Sequence, residues 1–316
     1  MKKELGIFIL LLVLCIVTAA INPRFVSVPN LTNLANVIGL YGVFSLGLGL
    51  VIITGGIDLS VGSMCALTGV LLSMALLEWK WAWPLAALAV LLVPVGLGWA
   101  HGALITRVKI QPFIVTLCGL LLYRGAARYI ADDGTKGFGD GAGFLPLKYL
   151  ASGKLGVLPM PFVLLVVIGL ILWVVLHRSV YGRHLLAVGR NEEAARYSGI
   201  NTKLVITVAY VIAGLLTGVS GIMIAFYTNS VSPSTHGNFY ELYGIAAAVL
   251  GGCSLRGGEG SIIGVIIGTA LLQVLQNLVN LLGIPTSLNF AVMGAVVLIG
   301  VIADQLFQRR SARVKA

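Results

Sequence analysis

The chain has 316 residues, of which 58% are hydrophobic and 10% charged, and its formal net charge is +10. A soluble domain carries about 25% charged residues, so the composition excludes an ordinary soluble enzyme or binding module. The basic residues are spread along the chain rather than gathered on one soluble face, which excludes a nucleic-acid partner.

The charges fall in the gaps between long apolar runs, and a spanning helix needs about 20 mostly apolar residues. Spans are predicted at 5–21, 35–54, 61–77, 82–106, 112–130, 158–177, 204–226, 240–252, 261–282 and 285–303. The fold class is therefore an all-α polytopic membrane protein of about ten transmembrane helices, with residues 1–316 forming a single transmembrane domain. Met1, Lys2 and Lys3 lead into the first run, and Thr18-Ala19-Ala20 resembles a cleavage site. With further spans following, that run reads as a retained first helix with its basic end in the cytoplasm.

Alternating from there leaves only Arg24, Lys80, Lys136, Lys148 and Lys154 on outside segments, while most other basic residues are cytoplasmic. This asymmetry supports an even span count with both termini in the cytoplasm. The segment 131–157 is a long outside loop and 178–203 a long cytoplasmic one. Trp79, Trp81 and Trp83 mark an outside interface. Cys15, Cys65, Cys118 and Cys253 are widely spaced and read as small core residues, with no metal site expected.

Between the second and third spans stands Thr54-Gly55-Gly56-Ile57-Asp58-Leu59-Ser60-Val61-Gly62. Gly55 and Gly56 loosen a helix end, and Asp58 and Ser60 suit the cap of the next helix. The segment is either a plain capped turn or an ordered element at a cytoplasmic mouth. In the 178–203 loop, Asn191 caps a short helix, with Glu192 and Glu193 in its favoured first turn and Gly199 or Asn201 at its end. Ala194 and Ala195 lie within it. An element of about two turns held between two spans fits a groove on a cytoplasmic partner.

The ninth span carries Gln273, Gln276, Asn277 and Asn280 on one face. These amides serve either as interhelical glue or as the lining of a polar pathway, where they suit a neutral polyhydroxylated solute. Arg124 and Arg128 are expected to snorkel to the outside interface, and Glu241 to cap or pair at the outside face. No Asp or Glu is expected in mid-span.

Gly55-Gly56-Ile57-Asp58-Leu59-Ser60-Val61-Gly62, Pro112-Phe113-Ile114-Val115-Thr116-Leu117, Gly189-x-Asn191-x-x-Ala194-Ala195-x-x-x-Gly199-Ile200 and Gly251-Gly252-x-Ser254-x-x-Gly257-Gly258-x-Gly260-Ser261 occur in that order. Together they resemble the ribose-type sugar-importer permeases of the ATP-binding cassette class, over nearly the whole chain. Cys253, Arg256 and Arg190 depart from the family pattern, which bears on ligand choice more than on fold. The resemblance implies a permease subunit of a bacterial inner-membrane importer that moves a monosaccharide or related polyol-like solute by alternating access. It implies that Asn191, Glu192, Glu193, Ala194, Ala195 and Gly199 form the coupling helix that docks on the ATPase. It also implies three partners: a cytoplasmic ABC ATPase, an extracytoplasmic sugar-binding protein and a second permease subunit, identical or related.

The chain has no Gly-x-x-x-x-Gly-Lys-Ser/Thr loop, so it is not expected to be an enzyme or to hold a cofactor. ATP and Mg belong to the partner ATPase. An ion-coupled secondary transporter is the alternative, set aside because such proteins place ionisable residues near the midplane. Gly218-Val219-Ser220-Gly221 resembles the serine motif of rhomboid proteases, but the only later His, His236, falls in an outside loop. Ser220 then reads as a packing residue.

Overall fold

The structure, a computed structural model, describes residues 2–140 and 142–285, with only scattered positions beyond, up to 298. The predicted tenth span and the basic tail after it lie outside the described residues apart from those positions. In chain order the helices are α1 (Lys2–Ile21), α2 (Val28–Ile53), α3 (Val61–Ser73), α4 (Trp83–Ala103), α5 (Pro112–Ile130), α6 (Leu145–Ser152), α7 (Met160–Arg178), α8 (Val180–Arg190), α9 (Glu192–Tyr197), α10 (Thr202–Thr228), α11 (Tyr240–Leu250) and α12 (Ile262–Leu281). A π-helical turn carries α3 on to Glu78 and another carries α4 on to Val108.

Eight helices among the described residues are long and apolar enough to cross a membrane. α2 starts at Val28, earlier than its hydropathy suggests, because Pro29 in its first turn presets the backbone angle. The 178–203 loop holds two helices rather than one, since Ser179 caps α8 by accepting from the Gly182 N–H. The 131–159 segment contains α6, one short antiparallel ladder and one strand of a second. Strand β1 (Lys136–Gly137) pairs with β4 (Ser230–Val231), and β2 (Lys154–Leu155) with β3 (Leu158–Pro159).

The predicted eighth span is corrected. α11 has 11 residues, about 16 Å of helix at 1.5 Å per residue, against roughly 30 Å of hydrocarbon. Its hydropathy is that of a span, but its length is that of half of one.

α10 and α2 form the centre. α10 packs against α2, α3 and α4, and α2 also against α7, α11 and α12. α1, α4, α5 and α7 keep apolar faces exposed, among them Ile16, Leu88, Leu122 and Leu170. In a membrane that surface faces lipid, because lipid tails gain nothing from its burial.

Two contacts fix depth. Gly214, at the centre of α10, packs on the Pro94 carbonyl near the centre of Trp83–Val108, and one turn inward Gly98 meets the Tyr210 carbonyl. A side chain at Gly214 or Gly98 would strike those carbonyls, so the absence of one is what lets α4 and α10 touch.

Candidate functional site

Two regions gather the residues singled out by the sequence. The first lies inside the bundle. Tyr210 donates its hydroxyl to the Ile57 carbonyl at 3.1 Å, and the Cys65 thiol reaches the Thr217 carbonyl at 3.5 Å. Residues 57–65 thus straddle the level of the centre of α10. Asp58 is 2% exposed, so the segment is an ordered, buried element rather than an open turn. Its Oδ1 accepts from the Ser60 N–H at 2.8 Å and the Ser60 hydroxyl at 2.6 Å. This is an Asx turn, and the Ser60 side chain makes no cap bond of its own to α3.

The start of α11 meets the same level. Gly62 and Gly237 pack backbone to backbone, and a Cβ on either would collide with the other's carbonyl. The N-termini of α3 and α11 therefore face each other inside the bundle. Their orphan N–H groups and positive dipole ends call for a negative partner, and Glu241 supplies it. Its carboxylate lies against Gly62, where a Cβ would meet Oε2. Glu241 is buried at 8% exposure, which corrects its expected place at the outside face.

Arg124 completes this junction. Its Nη1 donates to the Pro233 carbonyl at 2.9 Å and the His236 carbonyl at 2.7 Å, and its charge acts on Glu241. Snorkelling does not describe it: the guanidinium ties α5 to the 232–239 segment that leads into α11. Arg128, one turn outward, does reach the surface, where it pairs with Asp133 at 2.5 Å. Beside the junction, the Tyr123 hydroxyl lies 2.7 Å from His101 Nε2, and His101 Nδ1 has no hydrogen-bond partner. The Ser220 hydroxyl is also buried without a partner, as is His236 Nε2.

The four amides of α12 do not act as one face. Asn277 exchanges two hydrogen bonds with Asn30 of α2, at 3.1 and 2.9 Å. Gln276 lies beside the Tyr243 hydroxyl of α11. Gln273 is buried and Asn280 exposed. Tyr41 and Phe44 of α2 pack with Tyr240 and Tyr243 of α11 at ring separations of 5.1 to 5.8 Å. The structure thus brings Gln276 to an aromatic cluster and gives Asn277 an interhelical bond.

The second region is the 178–203 loop with the glycines packed around it. Asn191 caps α9 by accepting from the Ala194 N–H at 2.9 Å. Glu192 accepts from the Thr202 hydroxyl at 3.1 Å, which ties α9 to the first turn of α10. Gly199 ends the element with φ +84 and nothing near it. Glu192, Glu193 and Ala194 are exposed, but Ala195 is buried against the bundle. Tyr197, which the sequence reading passed over, is 82% exposed, with the Arg196 guanidinium 5.6 Å from its ring centre. The available signal was a bulky aromatic on a short polar helix, since Tyr is a favoured interface anchor.

Glycines join this region to the core. A Cβ at Gly189 would strike the Ile53 carbonyl at the end of α2, and Gly258 donates its N–H to that same carbonyl at 2.8 Å. Gly257 approaches Gly189 and Gly55. The end of α8, the end of α2 and the 251–261 loop therefore share one joint.

Comparison with known proteins matches residues 30–301 to the family described as branched-chain amino acid transport system / permease component. The chain is similar to the ribose import permease protein RbsC of Bacillus subtilis, with 37% identity over 96% of this chain and 93% of the relative. It is similar to the D-allose transport system permease protein AlsC of Escherichia coli, with 30% identity over 96% and 92%. It is likewise similar to the autoinducer 2 import system permease protein LsrD of Klebsiella pneumoniae, with 33% identity over 97% and 92%. No solved structure matches the chain.

Proposed function

The chain belongs to the branched-chain amino acid transport system / permease component family, and from that premise we propose that it is the membrane subunit of an ATP-driven importer of a monosaccharide or related polyol. Permeases of this family work with an ATPase and a substrate-binding protein. The reading assigns α9 to the ATPase, the outside lobe to the binding protein, and the pathway to a pair of such chains, identical or related. ATP binding and hydrolysis, with Mg, take place on the partner, and this chain carries out no covalent chemistry.

One observation carries the proposal. α9 is a short capped helix that exposes Glu193, Ala194 and Tyr197, while its base is fixed to the core through Thr202 and the Gly189 joint. A surface that is exposed at its tip and rigid at its root passes displacement inward without dissipating it in a flexible loop. Displacement would reach α2 and, through the 251–261 loop, α11 and the interior junction. Gln276 with Tyr41, Tyr240 and Tyr243 is the pathway-facing set we favour among the polar residues, since amides and phenols exchange hydrogen bonds with sugar hydroxyls.

The interior carboxylates bear on the ion-coupled alternative. Both are engaged: Asp58 with Ser60, Glu241 with Gly62 and the Arg124 charge. Neither offers the open carboxylate that a coupling ion needs.

The test is reconstitution with the ATPase and binding protein of the same system, followed by uptake from a panel of sugars. Uptake that requires ATP and both partners is expected. Uptake driven by a proton or sodium gradient without the ATPase would overturn the proposal.

A further inference from the structure

We infer that the ATPase is gripped at two points, and that the second is the turn Ser254–Gly257 beside α9. This rests on the assignment of α9 to the ATPase. The turn lies on the same cytoplasmic end of the bundle. Gly258, which follows it, packs against Gly189 and Arg190, and Arg190 immediately precedes the Asn191 cap. The Arg256 carbonyl lies against Gly55.

The turn is ordered rather than loose. Gly257 N–H donates to the Ser254 carbonyl at 2.8 Å, Ser254 N–H to the Glu259 carbonyl at 3.0 Å, and Arg256 N–H to the Ser254 hydroxyl at 3.2 Å. Held this way it presents Leu255, 57% exposed, next to an exposed Arg256. An apolar side chain fixed at the tip of a rigid polar turn, continuous with a proposed docking helix, has the form of an interface anchor with a polar rim. The occupant is the ATPase because the turn and α9 are locked to one another. A partner seated on Tyr197 covers a surface that runs on across the Gly189 joint to Leu255.

Two contacts also explain why the joint is built of backbone. The ATPase would displace α9 and the turn together, and both pull on the same Ile53 carbonyl at the end of α2. The driving motion then reaches α2 from α8 and α12 sides at once rather than through one loop.

The experiment attaches a benzophenone maleimide at Leu255→Cys and, separately, at Tyr197→Cys, in a Cys118→Ser background that removes the exposed native thiol. Native Cys253 stays silent, because burial pushes its thiol up to about 12. Each labelled chain is assembled with its ATPase and irradiated. Cross-linking of the ATPase from both positions is expected. Cross-linking from Tyr197→Cys alone overturns the second contact and leaves the α9 assignment standing. Cross-linking from Leu255→Cys alone removes the α9 assignment and with it the two-point grip. Cross-linking from neither overturns both. In parallel, Leu255→Asp is expected to lower uptake about tenfold, the scale of a lost interface anchor, with an unchanged Tm because the side chain is exposed. Parent-level uptake by that variant would overturn the inference.

Discussion

The α9 end and the interior junction of this protein use the same devices for opposite ends. At α9 a polar side chain caps a helix N-terminus in water, and the helix is left exposed. At the junction a carboxylate sits between two helix N-termini, and both it and the Gly62–Gly237 contact are buried. In water an unmade cap is replaced by solvent and costs about 1 kcal/mol. In the interior the same loss leaves a buried charge or N–H unsatisfied and costs several times more. Changes at the junction should therefore break the fold, whereas changes at α9 should break coupling and leave the fold intact.

The largest effect is expected at the glycine crossing. Gly62→Val forces a side chain into the Gly237 carbonyl, and because backbone cannot yield as a side chain does, the loss should exceed the ~1–3 kcal/mol of ordinary overpacking. Little monodisperse protein should survive solubilisation. Gly96→Ala, with nothing within 4 Å, is the control and should behave as the parent.

Next, Glu241→Ala removes the carboxylate between two N-termini and leaves Arg124 without its counter-charge. A cost of roughly 3–5 kcal/mol is expected, read as a lowered Tm, with Glu241→Gln less damaging because its amide oxygen still accepts. Equal Tm values for the two variants would contradict the capping role.

Tyr197→Ala should leave membrane insertion and Tm at parent values while ATP-driven uptake falls at least about tenfold, the loss expected of an interface anchor. Loss of Tm in parallel with uptake would place Tyr197 with the junction instead. Asn191→Ala should cost about 1 kcal/mol of local helix stability and lower uptake by several-fold, with Asn191→Asp close to parent because it still accepts from Ala194.

Arg128→Gln should be smallest, since exposed pairs contribute little. The guanidinium bond holds the Asp133 carboxyl below the usual carboxylate range. Any contribution is thus present above the unfolded pKa and lost as pH falls through the lower folded value. Parent and variant should share one Tm at neutral pH and physiological salt, and any small offset should close in strong acid.

The contrast also explains what the sequence makes legible. The spans and α9 are readable because their signals are local: an apolar run, an Asn followed by two acids, a Gly at the end. Glu241 and Asp58 are not, because nothing in their neighbours reports that the chain re-enters the bundle. An acid beside an apolar run looks the same at a membrane surface as at a buried junction of two helix starts. α11 misleads for the same reason, since hydropathy measures burial and not crossing. The short length of its run, 240–252, was the one visible sign. Among the amides, spacing placed Asn277 on a shared face, but its bond to Asn30 depends on a helix more than two hundred positions away. Tyr197 and Leu255 escaped for the opposite reason: a single exposed apolar residue carries no pattern until the structure shows it fixed in place.

The most direct measurement is solute accumulation by proteoliposomes holding this chain, with and without the partner ATPase, at fixed internal ATP. Accumulation only when the ATPase is present, abolished by Ala194→Glu with Ala195→Glu although the chain still inserts, is the predicted result. Accumulation by the isolated chain under an ion gradient, or an undiminished ATP-driven rate in that double variant, would contradict it.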